Sequence, residues 1–461
     1  MPNNEILIHG TGSLSQYEGD GDDYDRYYLP ARAIIRALAD RRQGLESHII
    51  LPGTQLDETV NFLNDTLSPN DTNLPSLGES AYRTPDEQYL MWQEVEENIE
   101  QFILWLVENN LQHALLGLLP YASSEDYWSV YETLVERGFN IRTNMDRLDD
   151  AAWLENSCFA HKGAYFEWIN NSIRQEDLTN YEDINRPTGY VACSPSEATL
   201  ALNRLRAKLG DGPVLFKPIY GGGGYGIKYF NSILEAQEAL DNSTYQFEYN
   251  TYDESQLHPI LIQEAINIQY DDMGEVGISV QFNGKNIIGL TRTLGDGSGH
   301  WSGNLLINSE NSQAAGISHN MFSLAETMTR QLLSEISPDG RGGIDFLVSN
   351  NNGSSELHFI ELNGGRTTGA EEAVQFERIV QSNNGVTGLH KYSIDPNSDL
   401  TIHDIAELLR TNGNLFSFDE NDNPVFGLLP IICIGDHLTV VGYARNHQEL
   451  HQAFQLLSER L

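Results

Sequence analysis

Positive charge is what this chain has least of. Lys and Arg number 27 against 66 Asp and Glu, a net charge of −39, which repels nucleic-acid phosphates and anionic lipid surfaces and argues against both as partners. Cysteine is nearly missing too. Cys158, Cys193 and Cys433 are odd in number, far apart and without a CxxC pair. Neither a disulfide framework nor a zinc site is expected, and a reducing, cytoplasmic setting fits. No apolar run approaches the ~20 residues of a membrane span. The opening MPNNEILIHG lacks the basic region and apolar stretch of a signal peptide, so a soluble chain is expected. No GK is followed by Ser or Thr, which removes the Walker A phosphate loop. No internal repeat is visible.

What remains is ample for a folded protein: 461 residues, 40% of them hydrophobic, enough for about three domains. Residues 5–8, 48–51 and 114–119 read as short buried strands, with helix-like segments near 29–42, 86–110 and 123–138 between or after them. That alternation predicts a parallel α/β domain. Ala31, Ile34, Ile35 and Leu38 form one apolar stripe for packing, and Ser124 and Gly138 bracket the third helix. Residues 10–25 are a polar loop with clustered acids, read as a solvated loop or a cation site. Residues 64–80 read as a surface excursion. From about 149 a helix carrying Lys162 is expected, then a turn at Arg186-Pro187-Thr188-Gly189, a strand YVA and a helix over 195–209. NSILEAQEAL opens a further helix with Ser232 and Glu235 in a capping pattern. The run HPILIQEAI, 258–266, turns polar at Gln263 and Glu264, an end that can present backbone groups to an adenine edge.

Two stretches carry chemistry. In GPVLFKPIYGGGGYGIKYF a strand bearing Lys217 leads through Gly221, Gly222, Gly223, Gly224 and Gly226 to a second strand bearing Lys228, a hairpin with a glycine tip. Glycines lose the most entropy on ordering, so four in a row suit backbone N–H groups that must approach phosphate oxygens; a flexible linker is the plain alternative. Gly221, Gly223 and Gly226 formally match GxGxxG, but a dinucleotide site needs a helix to start there, and IKYF is β-branched and aromatic. Against the acidic background residues 201–230 invert the sign, with Arg204, Arg206, Lys208, Lys217 and Lys228 against Asp211. The first three are expected to face solvent on the helix; Lys217 sits in an apolar run.

In LHFIELNGGRTTG, Glu361 and Asn363 share a strand face by alternation, and Asp345 lies on the upstream run GGIDFLV. Such a spare set of oxygens suits Mg²⁺, which keeps its other positions for water and substrate phosphates. Taken alone, E-x-N reads as a solvated edge strand.

Together these residues resemble the ATP-grasp superfamily: Lys162 on a helix before a Pro-containing turn, Lys217 before the glycine lid, a hinge strand ending in QEAI, and Asp345 with Glu361 and Asn363. The likeness spans about residues 150–385. The preceding segment looks like a pre-ATP-grasp domain, and the last 65 or so residues resemble the extra C-terminal piece of pheganomycin-type peptide ligases. The resemblance implies an α/β protein whose N-terminal parallel α/β pre-ATP-grasp domain (1–148) precedes a two-subdomain α+β ATP-grasp fold (149–395, lid about 187–266) and a small C-terminal domain (396–461).

It also implies roles. Lys162 and Lys217 would contact ATP phosphates under Gly222, Gly223 and Gly224. Gln263, Glu264, Ala265 and Ile266 would line adenine, with Glu275 or Asp272 on the ribose. Asp345, Glu361 and Asn363 would hold Mg²⁺. Arg366 follows the family's E-x-N-x-R ending with one Gly inserted. Outside the resemblance, the loops offer substrate groups: Arg292 and Arg341 to bind a carboxylate or the developing acylphosphate, His300 and Trp301 to reach over substrate, and His437, Asp436 and Arg445 to help select the amine, with an exposed strand position for Arg292 and a plain loop residue for His300 as the alternatives. The implied activity is an ATP-dependent carboxylate–amine ligase of the peptide-bond-forming type. It would join small-molecule carboxylate and amine substrates through an acylphosphate with release of ADP and phosphate; relatives with a pre-ATP-grasp domain often pair, so a homodimer is one of the states open to it. The competing readings are an ATP-grasp phosphotransferase, a non-catalytic nucleotide-binding protein and, more distantly, a dinucleotide oxidoreductase.

Overall fold

The computed structural model describes residues 5–10, 23–52, 56–67, 76–84, 91–120, 125–143, 184–185, 187–218, 226–246, 260–295, 301–336, 340–351, 354–364, 370–381, 385–395, 400–434 and 437–461. The first part is a five-stranded parallel sheet ordered β3-β2-β1-β4-β5, formed by β1 (Glu5–His9), β2 (Ser47–Pro52), β3 (Tyr82–Thr84), β4 (Leu115–Leu119) and β5 (Asn140–Thr143). Its helices are α1 (Asp23–Arg42), α2 (Asp57–Leu67), α3 (Met91–Glu97), α4 (Ile99–Glu108) and α5 (Glu125–Glu136). The single helix expected over 86–110 is two, broken at Asn98. Ile34, Ile35 and Leu38 are fully buried as the stripe predicts, and Gly138 ends α5 with φ +87°.

A second, four-stranded sheet follows, ordered β7-β10-β8-β9, after a short β6 (Ile184–Asn185). It consists of β7 (Gly189–Ala192), β8 (Val214–Pro218), β9 (Lys228–Phe230) and β10 (Ile260–Glu264), backed by α6 (Pro195–Leu209) and α7 (Ile233–Asp241). Ser232 caps α7 by accepting from the Glu235 N–H at 3.1 Å. Arg204, Arg206 and Lys208 are exposed on α6. β8 and β9 pair antiparallel, Phe216 opposite Lys228, as the hairpin reading requires. Val214, Phe216, Ile260 and Ile262 turn to the helices and form this layer's core. Lys217, opposite Leu261, and Gln263, opposite Leu215, therefore share the other face.

The third part is a nine-stranded sheet ordered β21-β22-β18-β15-β14-β13-β16-β17-β6. Its strands include β13 (Gly277–Asn283), β14 (Asn286–Gly295), β15 (Trp301–Ile307), β16 (Arg341–Asn351), β17 (Ser354–Gly364) and β18 (Val386–Ser393). A small hairpin of β11 (Tyr270–Asp271) and β12 (Gly274–Glu275) precedes it. One face packs on α8 (His319–Ile336) through Ile278, Val280, Phe282, Ile344, Phe346 and Leu362. α9 (Ala370–Val380) lies against α1 and β18. The last segment adds α10 (Ile402–Thr411), the short pair β19 (Ser417–Phe418) and β20 (Pro424–Val425), then β21 (Gly427–Ile434), β22 (His437–Ala444) and α11 (His447–Ser458). β22 pairs antiparallel with β18 over Val386–Ser393, so residues 427–444 extend the same sheet. A single apolar core runs from Ile34 and Leu38 of α1 through Phe376 of α9 to Leu429 and Val441 near the C-terminus. Among the described residues no helix is long and apolar enough to cross a membrane.

Candidate active site

β16 and β17 place Asp345 directly opposite Glu361, and Gly343 opposite Asn363. The ladder then shifts register between Asp345 and Phe346, because Phe346 pairs with Phe359 and Ile360 is the extra residue. That bulge reverses the alternation: Phe359 goes into the core against α8 while Glu361, two residues on, goes to the opposite face. Leu362, between Glu361 and Asn363, is 2% exposed in the same core.

Two carboxylates directly opposite each other on a sheet repel, so the arrangement needs compensating positive charge or donors. It has both. Lys217 reaches across from the four-stranded sheet and its Nζ donates to Glu361 Oε2 at 2.6 Å, with side-chain exposures of 8% and 16%. Asn363 Nδ2 donates to Asp345 Oδ2 at 2.8 Å and to Glu361 Oε1 at 3.3 Å. Behind them, Ser279 Oγ donates to Asp345 Oδ1 at 2.5 Å, and Gln281 Nε2 donates to Ser279 Oγ at 2.9 Å. The paired strands thus hold two carboxylates and one amide at one spot within reach of Lys217 of β8. Among the described residues there is no cluster of three His, Cys, Asp or Glu side chains suited to a metal. The donor set is two carboxylates plus an amide oxygen, hard ligands that fit Mg²⁺ bound together with phosphate oxygens.

On the lid side Gln263 is 3% exposed and its Nε2 has no hydrogen-bond partner among the described residues, a buried donor turned to the same cleft face as Lys217. Glu264 and Ala265 have spent their N–H groups within the protein, on the Thr188 carbonyl at 2.8 Å and the Pro213 carbonyl at 3.1 Å, and Glu264 Oε2 accepts from the Thr188 N–H. The hinge then crosses to the large sheet, where Asn267 Nδ2 donates to the Asn350 carbonyl and the Gln269 N–H to the Val348 carbonyl. Glu275 lies at that end of the large sheet, accepting from Tyr270 Oη at 3.0 Å and packed against Gly295.

The three arginines part company. Arg366, like Lys162, Gly222, Gly223, Gly224, His300 and Asp436, lies outside the described residues. Arg292 stands opposite Ile278, whereas Ser279 stands opposite Asp345, so Arg292 is on the reverse face of the sheet from the carboxylates. It is fully buried. Its guanidinium clamps Asp271 at 2.7 and 2.5 Å and donates to the Ala315 carbonyl at 2.6 Å. Burial alone would raise the Asp271 pKa, but Arg292 and the Met273 N–H hold it below the ordinary value. The fork expected to bind a substrate carboxylate is thus engaged with Asp271 and the Ala315 carbonyl.

Arg341 shares a face with Asp345, roughly 13 Å along β16 at about 3.3 Å per residue. Its Nη1 donates to Glu371 Oε1 at 2.6 Å, and Glu371 also faces Arg36 of α1 at 3.3 Å. About one turn further along α1 and two along α9, Arg378 meets Asp40 at 3.0 Å, and Asp40 accepts from His9 at 2.8 Å. A buried polar seam therefore ties the C-terminal end of β1 to Arg341. Trp301 donates to Asn304 Oδ1 at 2.7 Å, with Lys391 Nζ 5.0 Å from its ring centre. Arg445 pairs with Glu449 on an exposed helix turn, a surface contact. Ser279 and Gln281 escape a motif reading. The available signal is their alternation with Ile278, Val280 and Phe282 in GISVQFN, which puts two polar side chains on the face away from the core.

No protein-family model matches the chain, and no curated protein matches it by sequence. Solved structures do. The biotin carboxylase domain of the 2-oxoglutarate carboxylase of Hydrogenobacter thermophilus, in complex with MgADP, ADP and bicarbonate, superposes with TM-score 0.51 at 14% identity, covering 98% of this chain and 90% of that one. Pyruvate carboxylase of Rhizobium etli gives TM-score 0.51 at 12% identity, covering 98% of this chain and 37% of that chain. A carboxyaminoimidazole ribonucleotide synthase from Aspergillus clavatus, complexed with ATP, gives 0.48 at 10% identity over 99% of this chain and 98% of that chain. With a four-stranded sheet set against a carboxylate-bearing sheet behind an N-terminal parallel α/β layer, the chain has the ATP-grasp fold.

Proposed function

We propose that this protein is an ATP-dependent carboxylate–amine ligase that forms an amide or peptide bond and releases ADP and phosphate. The observation that carries the reading is the meeting of Lys217 with Glu361, Asp345 and Asn363 between the two sheets. On this reading residues 1–148 are the pre-ATP-grasp domain, 149–395 the ATP-grasp domain and 396–461 an extension of its sheet.

Joining a carboxylate to an amine is unfavourable in water, and transfer of the ATP γ-phosphoryl group to a carboxylate oxygen supplies the leaving group. That transfer needs positioning and charge neutralisation more than a protein nucleophile. Asp345, Glu361 and Asn363 would hold Mg²⁺, which when bound supplies positive charge against the phosphates. Lys217 would exchange Glu361 for phosphate oxygens, Gln263 would turn its spare donor to the base, and Glu275 or Asp272 would take the ribose. Arg341, anchored by Glu371, faces the transferring group. The C–N bond forms as the C–O bond to phosphate breaks, with water kept out by the closed lid.

Incubation with ATP, Mg²⁺ and a panel of carboxylates and amino acids, read by phosphate release and product mass, tests the proposal. ADP and phosphate with a new amide support it, and hydroxylamine should trap the acyl group as a hydroxamate. AMP and pyrophosphate would exclude it in favour of adenylation. A stable phosphate ester that resists hydroxylamine would mark a phosphotransferase instead.

A further inference from the structure

Asp345 is held from behind. β13 lies next to β16 with Ser279 directly opposite Asp345, and the Ser279 hydroxyl donates to Oδ1 while Asn363 donates to Oδ2. A serine hydroxyl has one proton and two lone pairs. Gln281, two residues along the same face, points its Nε2 at one of those lone pairs. The hydroxyl oxygen is thereby an acceptor from Gln281, and its single proton is committed to Asp345. Ser279 and Gln281 are 2% and 1% exposed, so water does not compete for that proton. A carboxylate offers about four lone-pair directions. Ser279 and Asn363 thus each hold one oxygen of Asp345, fixing how the carboxylate is turned beside Glu361.

We propose that Ser279 is a positioning residue for the metal ligand Asp345, with Gln281 setting the direction of its hydroxyl. This rests on the ligase reading, because it presumes that Asp345 binds the divalent ion that accompanies the nucleotide. The inference is about affinity and orientation: groups behind a ligating carboxylate fix its rotamer, and losing one weakens metal binding by about 10–100-fold. A mere packing role predicts something else. Ser279→Ala removes one oxygen from a tight interior and, on packing grounds alone, would leave metal affinity alone.

The test uses Mn²⁺ as the probe, titrated into the full chain in the presence of ADP and followed by electron paramagnetic resonance. ADP binding in EDTA is measured alongside. Ser279→Ala should weaken Mn²⁺ by about 10–100-fold and leave metal-free ADP binding and the melting temperature close to wild type. Ser279→Thr, which keeps the hydroxyl, should restore Mn²⁺ affinity to near the wild-type value. Unchanged Mn²⁺ affinity in Ser279→Ala overturns the proposal. Equal loss in both variants, or loss of metal-free ADP binding together with Mn²⁺, assigns Ser279 to packing and overturns it as well. Failure of the wild type itself to bind Mn²⁺ with ADP would instead remove the ligase reading on which the inference stands.

Discussion

Lys217 and Glu361 are 144 residues apart in the chain and 2.6 Å apart in space. Each belongs to a different sheet, so this pair is the point at which the lid layer and the carboxylate-bearing layer touch chemically. Breaking one member of a buried pair leaves an uncompensated charge, which costs about 3–5 kcal/mol where burial is complete and less here, where Glu361 keeps some solvent. Lys217→Met should therefore lower stability modestly and reduce ATP turnover by about 10²–10³-fold, the usual range for removing one preorganised donor. Turnover within a factor of about three of wild type in a folded Lys217→Met protein would contradict the site.

Glu361→Ala should behave differently from Lys217→Met. It removes the metal-facing carboxylate and frees the lysine at once, so Mg²⁺-dependent ADP binding should fall while ADP binding in EDTA is kept or strengthened. Calorimetric titration with and without Mg²⁺ separates the two. Parallel loss in both conditions would point to collapse of the layer contact rather than to a lost ligand.

Arg292→Met should damage the fold and spare the nucleotide site. The guanidinium is fully buried against Asp271, and its removal strands a half-buried carboxylate. Because Asp271 keeps more solvent than Glu361, the loss in denaturant unfolding should fall below the fully buried case, at about 1–3 kcal/mol. Nucleotide affinity, measured where the variant is still folded, should stay near wild type.

Gly342→Ala tests how closely the strands carrying the site are packed. A β-carbon there would lie 2.3 Å from the Phe282 ring and 2.5 Å from the Asn363 carbonyl, so the backbone bearing Asn363 must shift. Overpacking of this kind costs about 1–3 kcal/mol. Weaker Mn²⁺ binding should accompany the lowered melting temperature; a drop in melting temperature with metal affinity intact would show that Asn363 tolerates the shift.

The protein should lose stability on mild acidification. Burial pushes His9, His48, His358, His390, His447 and His451 below the ordinary 6.5, His390 to about 4. The folded chain keeps them neutral while the unfolded chain takes up protons below about 6.5, so stability is full above that pH and falls as pH drops from there towards the lowered folded values. For fully buried His9 alone the slope is about 1.4 kcal/mol per pH unit within its window. Melting temperatures measured from pH 7.5 to 5 should decline steadily; a flat profile would mean that these side chains are protonated in the fold.

Much of the architecture could be read in the residues, because it is written locally. EILI, HIIL and ALLGLL are short apolar runs spaced by helices, and the Lys217 to Lys228 stretch announces a hairpin by its glycines. What escaped reading depends on partners distant in the chain. Arg292 was legible as a strand residue, but its face is decided by which residue of β13 stands opposite, and that register is not written in IIGLTRTL. The extra residue Ile360 reverses the face of Glu361 relative to Phe359, which simple alternation through LHFIELN cannot anticipate. The C-terminal segment was legible as a separate piece, yet β22 pairs with β18, from Val386 opposite Ala444 to Ser393 opposite His437, and so brings β21 and itself into the sheet that β13 begins.

That last pairing has a bearing on biogenesis. Helix α1 leaves the ribosome long before Leu429 and Val441, which complete the core that its apolar stripe rests in. The N-terminal layer can form its own strands early, but the outward side of α1 waits uncovered until β21 and β22 have been made. A nascent chain stalled before residue 427 would carry that exposed stripe, and should be a preferred client of chaperones.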